Sequence, residues 1–307
     1  MNNKIKLVKD EIYSQIKELP ILYEEIKHSN YYKMLKDAEN VIITGCGDSY
    51  AAALMLSELS KAMAMDPYEA IFKDFGKDMI FVIVSVSGKT VANLNLAKKL
   101  KENGNKIIAV TGKKDSPLTK IINEVIWINY EEKTILPGTL SFTKSLIALY
   151  GLFGINIDFK NLNKEIIAKA FEDTKDIFGE SFYILGGAKL FPSCYYFKAK
   201  ILEFSGCKTI IERIEQFAHM DLFGLTMKDC IIFLSRNEKK VEETYKLISE
   251  NVKIAKLLNF NYPIEESYLI SSIYAQALGF NLLVYHGLTD FHFAKSRLLK
   301  ISDQLIY

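Results

Sequence analysis

Short apolar runs rich in β-branched residues alternate along the chain with stretches that have helical spacing. The run Val41 to Ile43 ends at Gly45 and precedes a small-residue stretch from Ser49 to Met63. The same succession follows at Met79 to Val84 and again at Lys106 to Val110. Strands that alternate with helices predict a parallel sheet covered by helices on both faces.

Further patterns complete this first half of the chain. The amphipathic stretch from Asn3 to Leu35 predicts a helix with a break at Pro20, because proline interrupts a helix interior. Helices are also predicted at Ser85 to Lys101 and at Ser116 to Ile122, and the run Val125 to Ile128 predicts the last strand of the series.

A similar succession returns in the second half of the chain. Phe182 to Leu185 predicts a strand that ends at Gly186, and Phe191 to Phe204 predicts the helix after it. Cys230 to Leu234 then predicts a strand, and Val241 to Leu258 a helix. The repeated order indicates an internal duplication of one doubly wound unit.

These patterns predict an α/β fold with two tandem doubly wound parallel sheets and helices on both faces. A polar stretch from Asp158 to Thr174 joins the halves, and Ser267 to Tyr285 predicts a long apolar helix before an irregular tail from His286. The apolar helix is either core or a surface for a second subunit. The predicted organisation is an N-terminal helical segment at 1–39, a first domain at 40–157, a second at 175–285 and a C-terminal tail at 286–307.

Composition narrows the class of protein. The 307 residues are 49% hydrophobic with only 6 prolines, which excludes a disordered chain. A net charge of +2 gives no basis for a nucleic-acid partner, and no apolar run approaches the roughly 20 residues of a membrane-spanning helix. The 4 cysteines are scattered without a CxxC pair, so they predict thiols in a cytoplasmic protein and no metal site.

Two loops lie where ligands bind in parallel sheets, after strands and before helices. Gly45 to Ser49 is the first, and Ser85 to Thr90, with three hydroxyls around Gly88, is the second. Hydroxyls and free N–H groups at a helix start predict a phosphate site, although Ser and Thr also favour such positions as simple caps. A nucleotide P-loop is excluded because Ile83 stands where its first glycine is required, and Tyr50 takes the third glycine position of a dinucleotide fingerprint.

The second half has a different sequence at the corresponding loop. Ser235 to Lys240 occupies the position of Ser85 to Thr90 but contains no glycine. We therefore predict that the first loop binds a ligand and that the second loop does not.

In this order the motifs resemble the sugar isomerase (SIS) domain family over about residues 40 to 300, especially the isomerase half of glucosamine-6-phosphate synthase and its stand-alone relatives. Gly45-Cys46-Gly47-Asp48-Ser49-Tyr50 is similar to the family's first loop, and Ser85-Val86-Ser87-Gly88-Lys89-Thr90 to its S-x-S-G-E-T loop. Lys89 replaces the glutamate of that motif. The resemblance implies flavodoxin-like SIS domains in which Ser49, Ser85, Ser87 and Thr90 hold a sugar phosphate, while Gly45, Gly47 and Gly88 let the backbone approach it.

The chemistry that the resemblance implies lies in the second half. The sequence Lys200-Ile201-Leu202-Glu203 is similar to the family's K-x-x-E, and His219 follows Glu203 at the family's spacing, although Gln216 replaces a glutamate. By that likeness Glu203 transfers the proton between adjacent sugar carbons, His219 opens the ring and Lys200 positions the carboxylate. Without the resemblance, Lys200 and Glu203 would be interpreted as a surface helix pair and His219 as a structural histidine.

Relatives also bring a lysine from the C-terminal tail to the open-chain carbonyl. Lys300 is the preferred candidate here and Lys295 the other, and both are alternatively ordinary surface lysines. The resemblance further implies a homodimer with a shared active site, a small-molecule sugar phosphate as partner, and neither a cofactor nor a metal.

The expected function is aldose–ketose isomerisation of a hexose or amino-sugar 6-phosphate, with deamination in the manner of glucosamine-6-phosphate deaminase as one form. A phosphoglucose/phosphomannose isomerase and a non-catalytic sugar-phosphate sensor are the alternatives. A nicotinamide-binding protein is a third and is not expected.

Overall fold

A computed structural model describes residues 3–131 and 134–307 and divides the chain into two compact units. One comprises Ser14–Ile157 with Arg297–Tyr307 and contains a five-stranded sheet; we call it the five-stranded unit. The other comprises Asp158–Ser296 with the chain up to Tyr13 and contains a four-stranded sheet; we call it the four-stranded unit. Each sheet is parallel and flanked by helices, so the predicted α/β class is confirmed.

The strands of the five-stranded unit are joined in the order β2-β1-β3-β4-β5. Every residue of β1 is buried, as expected for a central parallel strand with helices on both faces. The strands are β1 Val41–Gly45, β2 Met63–Met65, β3 Ile80–Val84, β4 Lys106–Thr111 and β5 Glu124–Trp127, and the helices of this part of the chain are α1 Asn3–Lys27, α2 Asp48–Ser57, α3 Pro67–Ile71, α4 Val91–Asn103 and α5 Leu140–Phe153.

The four-stranded unit repeats this order, with strands joined as β7-β6-β8-β9. The central strand β8 is again buried along its whole length. The strands are β6 Ser181–Gly186, β7 Lys208–Arg213, β8 Cys230–Ser235 and β9 Ile254–Asn259, and the helices are α6 Lys164–Thr174, α7 Phe191–Ser205, α8 Ile214–His219, α9 Lys239–Ile248, α10 Ile264–Tyr285 and α11 His292–Lys295; a last helix, α12 Leu299–Ile306, belongs to the five-stranded unit.

The long apolar helix α10 is the core of the four-stranded unit. A Cβ atom added at Gly279 would lie 2.8 Å from Phe204 Cδ2 and 3.1 Å from the carbonyl oxygen of Lys200, so α10 and α7 touch backbone to backbone. Of the helices in the described residues, only α10 has the length and composition of a membrane span, and 89% of that segment is buried in the protein. Of the two interpretations offered by its sequence, core and subunit surface, the structure shows core.

Several predicted elements are wrong, each for a local reason. The break at Pro20 is absent, because α1 continues through it at the loss of one backbone hydrogen bond. Ser116 to Ile122 forms turns and not a helix, and part of the polar stretch Asp158 to Thr174 forms α6, which buries Ile167.

The C-terminal half holds further corrections. The helix predicted over Val241 to Leu258 ends at Ile248, and its second part is the strand β9. The tail from His286 is not irregular throughout, because it contains α11 and α12. The edge strand β7 was missed because its residues alternate between exposed and partly buried positions, which leaves no apolar run.

Candidate functional site

The loop after β1 turns sharply because of its two glycines. A Cβ atom at Gly45 would lie 2.6 Å from Ser49 Cβ and 2.8 Å from the carbonyl oxygen of Val84, so only glycine allows this approach. Gly47 has φ of +57°, the left-handed region that glycine adopts freely, and the Ser49 N–H donates to the Cys46 carbonyl at 3.1 Å. The turn therefore brings the start of α2 against the end of β3.

The loop after β3 is fixed by a neighbouring turn. Gly88 has φ of +63°, and its N–H donates to the Ser85 carbonyl at 3.1 Å. The Gly88 carbonyl accepts the Leu118 N–H at 3.0 Å, and a Cβ atom at Gly88 would lie 2.2 Å from Ser116 Oγ. The left-handed backbone and the contact with Ser116 together make glycine necessary at position 88.

The predicted phosphate-binding residues of the two loops lie side by side. Gly45 pairs with Val84 in the sheet, so the loops that follow them leave the same edge as neighbours. Ser85 is buried and donates its N–H to the Val110 carbonyl at 2.9 Å, while the Ser87 hydroxyl accepts the Lys89 N–H at 3.3 Å. The structure thus brings together, within the five-stranded unit, Gly45, Gly47, Ser49, Ser85, Ser87, Gly88 and Thr90.

The loop Ser85 to Thr90 does not serve as a simple side-chain cap of α4. Thr90 is the N-cap residue of α4, but its side chain makes no capping hydrogen bond, and the first turn of α4 contains no acidic residue. Within the described part of the chain, no carboxylate bonds to Ser85, Ser87 or Thr90. The start of this helix therefore keeps N–H groups and hydroxyls suited to an anion.

Cys46, between the two glycines of the first loop, is not an activated nucleophile. Burial raises the pKa of its thiol to about 11, and the nearby charge of Asp66 acts in the same direction. The thiol is therefore protonated at neutral pH and serves as a small half-buried side chain.

The pair Lys200 and Glu203 lies on α7 of the four-stranded unit. Lys200 is fully buried, its Nζ donates to Glu203 Oε2, and it lies 4.8 Å from the ring centroid of Tyr196. The Glu203 side chain keeps 28% of its surface exposed. The alternative of a surface helix pair is therefore wrong: a buried ammonium holds a carboxylate that solvent can still reach.

Tyr196 was missed as part of this cluster. It precedes Lys200 by four residues, the spacing that places two side chains on one helix face, and this was the available indication. A cation over an aromatic face is stabilised further when it is removed from water.

His219 lies apart from Glu203 within the four-stranded unit. It ends α8, which follows the carboxyl end of β7, and its side chain is 70% exposed with Nε2 3.5 Å from Glu215 Oε1. Helix α7 begins near the carboxyl end of β6 and runs back along the sheet, and the rise from Phe191 to Glu203 is ~18 Å at 1.5 Å per residue. One copy of the chain therefore does not bring Glu203 and His219 together.

The two candidate lysines of the tail fall in different units. Lys300 is exposed on α12 of the five-stranded unit. Lys295 ends α11 of the four-stranded unit and donates to Thr289 Oγ1 at 2.6 Å. In the residues that the structure describes, no group of three or more His, Cys, Asp or Glu side chains is placed to hold a metal ion.

Comparison with known proteins confirms the resemblance noted in the sequence. The SIS domain model matches residues 34–154. The isomerizing glutamine–fructose-6-phosphate aminotransferase of Sulfolobus acidocaldarius is 27% identical over 218 residues, which are 64% of this chain and 36% of that protein. The chain spans only a fifth to about a third of the length of such curated relatives.

Solved structures share the fold over nearly the whole chain. Glucosamine-6-phosphate deaminase from Thermotoga maritima matches with a TM-score of 0.75 at 17% identity, covering 91% of this chain and 95% of that one. The C-terminal domain of glucosamine-fructose-6-phosphate aminotransferase from Francisella tularensis gives 0.71 at 17%, covering 91% and 96%. Tagatose-6-phosphate ketose/aldose isomerase from Escherichia coli gives 0.70 at 13%, covering 91% and 93%.

Proposed function

We propose, from the SIS domain at residues 34–154, that this chain is a cytoplasmic enzyme that isomerises a hexose or amino-sugar 6-phosphate. In this proposal the four-stranded unit is a second SIS domain. Ser49, Ser85, Ser87 and Thr90 bind the phosphate. The observation that carries the proposal is the carboxylate of Glu203, held by a buried ammonium and still open to solvent.

The chemistry needs one base that serves two adjacent carbons. Glu203 removes the proton from C2 of the open-chain aldose and returns it to C1 of the enediol, which leaves a ketose. Where C2 carries an amino group, the same shift gives a ketimine, and water hydrolyses it to the ketose and ammonia. Lys200 positions the Glu203 carboxylate, and Lys300, with Lys295 as the alternative, meets the open-chain carbonyl.

Ring opening is assigned to His219 of a second copy. The separation in space of Glu203 and His219 within one copy of the chain supports a homodimer with a shared active site. Met220 and Phe223, next to His219, are 56% and 85% exposed, which suits contact with a second copy. Mixing Glu203→Gln chains with His219→Ala chains should restore activity in heterodimers; absence of rescue after verified subunit exchange would contradict the shared site.

The direct test is a panel of hexose and hexosamine 6-phosphates. Solvent deuterium uptake, at C1 of the ketose and at C2 of the aldose, and ammonia release are followed together by NMR and a coupled assay. We expect turnover by the unaltered chain and a loss of ~10²- to 10⁴-fold in kcat for Glu203→Gln with ligand binding retained. Glu243→Gln, an exposed surface change, is the control and keeps full activity.

The outcomes separate the alternatives. Deuterium uptake with ammonia release indicates a deaminase, and uptake alone indicates a simple isomerase. Ligand binding without any turnover would overturn the enzymatic proposal and indicate a sensor.

A further inference from the structure

The loop Ser235 to Glu238 in the four-stranded unit has the same place in its sheet as the loop Ser85 to Thr90. It joins β8 to α9, as the other joins β3 to α4. Each loop holds one residue in the left-handed region: Gly88 with φ of +63° and Asn237 with φ of +65°. The turn is thus shared, although the side chains differ.

The carboxylate of Glu238 fills the turn of its own loop. Glu238 Oε2 accepts the Ser235 hydroxyl at 2.8 Å and also the backbone N–H of Arg236. The serine and N–H donors of this loop are therefore already bonded to an anionic group of the same chain.

The same carboxylate lies against the loop that follows β6. A Cβ atom at Gly187 would lie 2.9 Å from Glu238 Oε1 and 3.0 Å from both Cδ and Oε2. Any residue larger than glycine would displace the carboxylate. Glu238 therefore occupies the crevice between the β6 and β8 loops, the counterpart of the crevice between the β1 and β3 loops.

We propose that Glu238 is an internal anion that keeps phosphate out of the four-stranded unit, so that each copy takes up one phosphorylated ligand. Only the number of phosphorylated ligands per copy rests on the proposed function. A phosphate that entered this crevice would meet a like charge and would find the Ser235 and Arg236 donors engaged. The Ser85 to Thr90 loop, with no carboxylate bonded to its hydroxyls among the described residues, stays open.

The test removes the carboxylate and retains the helix start. Glu238→Ser leaves a side chain that is itself a preferred N-cap, and Glu238→Ala is the second variant. Glu242→Ala, on the same helix α9, is the matched control for loss of one negative charge. Binding of inorganic phosphate is measured by ³¹P NMR and calorimetry in a Ser87→Ala, Thr90→Ala background that disables the first loop.

In that background we expect phosphate binding to appear with Glu238→Ser and Glu238→Ala, and at least 10-fold weaker or no binding with Glu242→Ala. Folded Glu238 variants that bind no more phosphate than the control would overturn the inference, as would two bound phosphates per unaltered chain. Failure of the proposed function is a separate result, because it appears as no sugar phosphate bound by the unaltered chain.

Discussion

Replacing Gly88 by alanine tests how closely the loop Ser85 to Thr90 depends on its packing. The change carries two costs that the structure separates. A φ of +63° strains any residue with a Cβ atom by ~1–2 kcal/mol. The new Cβ would also lie 2.2 Å from Ser116 Oγ and 2.5 Å from Ser116 Cβ, far inside contact distance. Overpacking of this kind costs a further ~1–3 kcal/mol.

Ser116 has little freedom to move aside. It is 1% exposed, its N–H donates to Thr119 Oγ1 at 3.0 Å, and its hydroxyl lies 3.3 Å from the same atom. We therefore expect Gly88→Ala to lower the free energy of unfolding by ~2–5 kcal/mol, the sum of the two costs.

Gly104→Ala is the matched control for the backbone cost. Gly104 has φ of +83° and nothing within 4 Å of an added Cβ atom, so the control should lose only ~1–2 kcal/mol. Urea unfolding of both variants, followed by circular dichroism, gives the difference directly. Equal losses for the two variants would refute the claim that Ser116 confines the loop.

Two further predictions test charged groups, one in each unit. Burial alone would raise the pKa of Asp229, but hydrogen bonds from Ser181 and Thr226 outweigh it and lower the pKa. Asp229→Asn should lower the free energy of unfolding by ~2–3 kcal/mol at pH 7, because it removes the charge that these hydrogen bonds stabilise. The unaltered chain should lose this stability as the pH falls from ~5 through the lowered pKa of Asp229, and the variant should not. Urea unfolding across pH measures the difference. Buried Lys144 donates to Glu18 Oε2 at 2.9 Å and to the Asn129 carbonyl at 2.8 Å. Glu18→Ala removes the carboxylate and leaves the buried positive charge uncompensated, so it should destabilise more than Lys144→Met; the reverse order of unfolding midpoints would contradict this.

The central strands were predictable because each is an uninterrupted apolar run covered on both faces. The edge strands β7 and β9 were not, because their partly exposed residues carry no such run. Pro20 shows the opposite error: a strong local rule was overridden, since the cost of one lost hydrogen bond is small beside the packing of the apolar face of α1.

In the candidate site, too, features of local sequence could be predicted and contacts between distant segments could not. The loop Ser85 to Thr90 could be singled out as a candidate because its three hydroxyls and Gly88 lie within six residues of the sequence. The burial of Lys200 could not be predicted, because it follows from the close packing of α10 at Gly279 against the backbone of α7, a contact between distant segments. Glu238 has no special sequence context, and only the structure shows its carboxylate bonded to Ser235 and Arg236 and lying against Gly187.

The two sheets show why a shared fold does not by itself locate a function. Both have the strand order that places a pair of loops at the carboxyl edge, so topology offers two equivalent crevices. The side chains distinguish the two crevices. Among the described residues no carboxylate is bonded to the hydroxyls of the loop Ser85 to Thr90, whereas the Ser235 hydroxyl donates to Glu238. The four-stranded unit instead presents Glu203 on the far part of α7, away from its own loops.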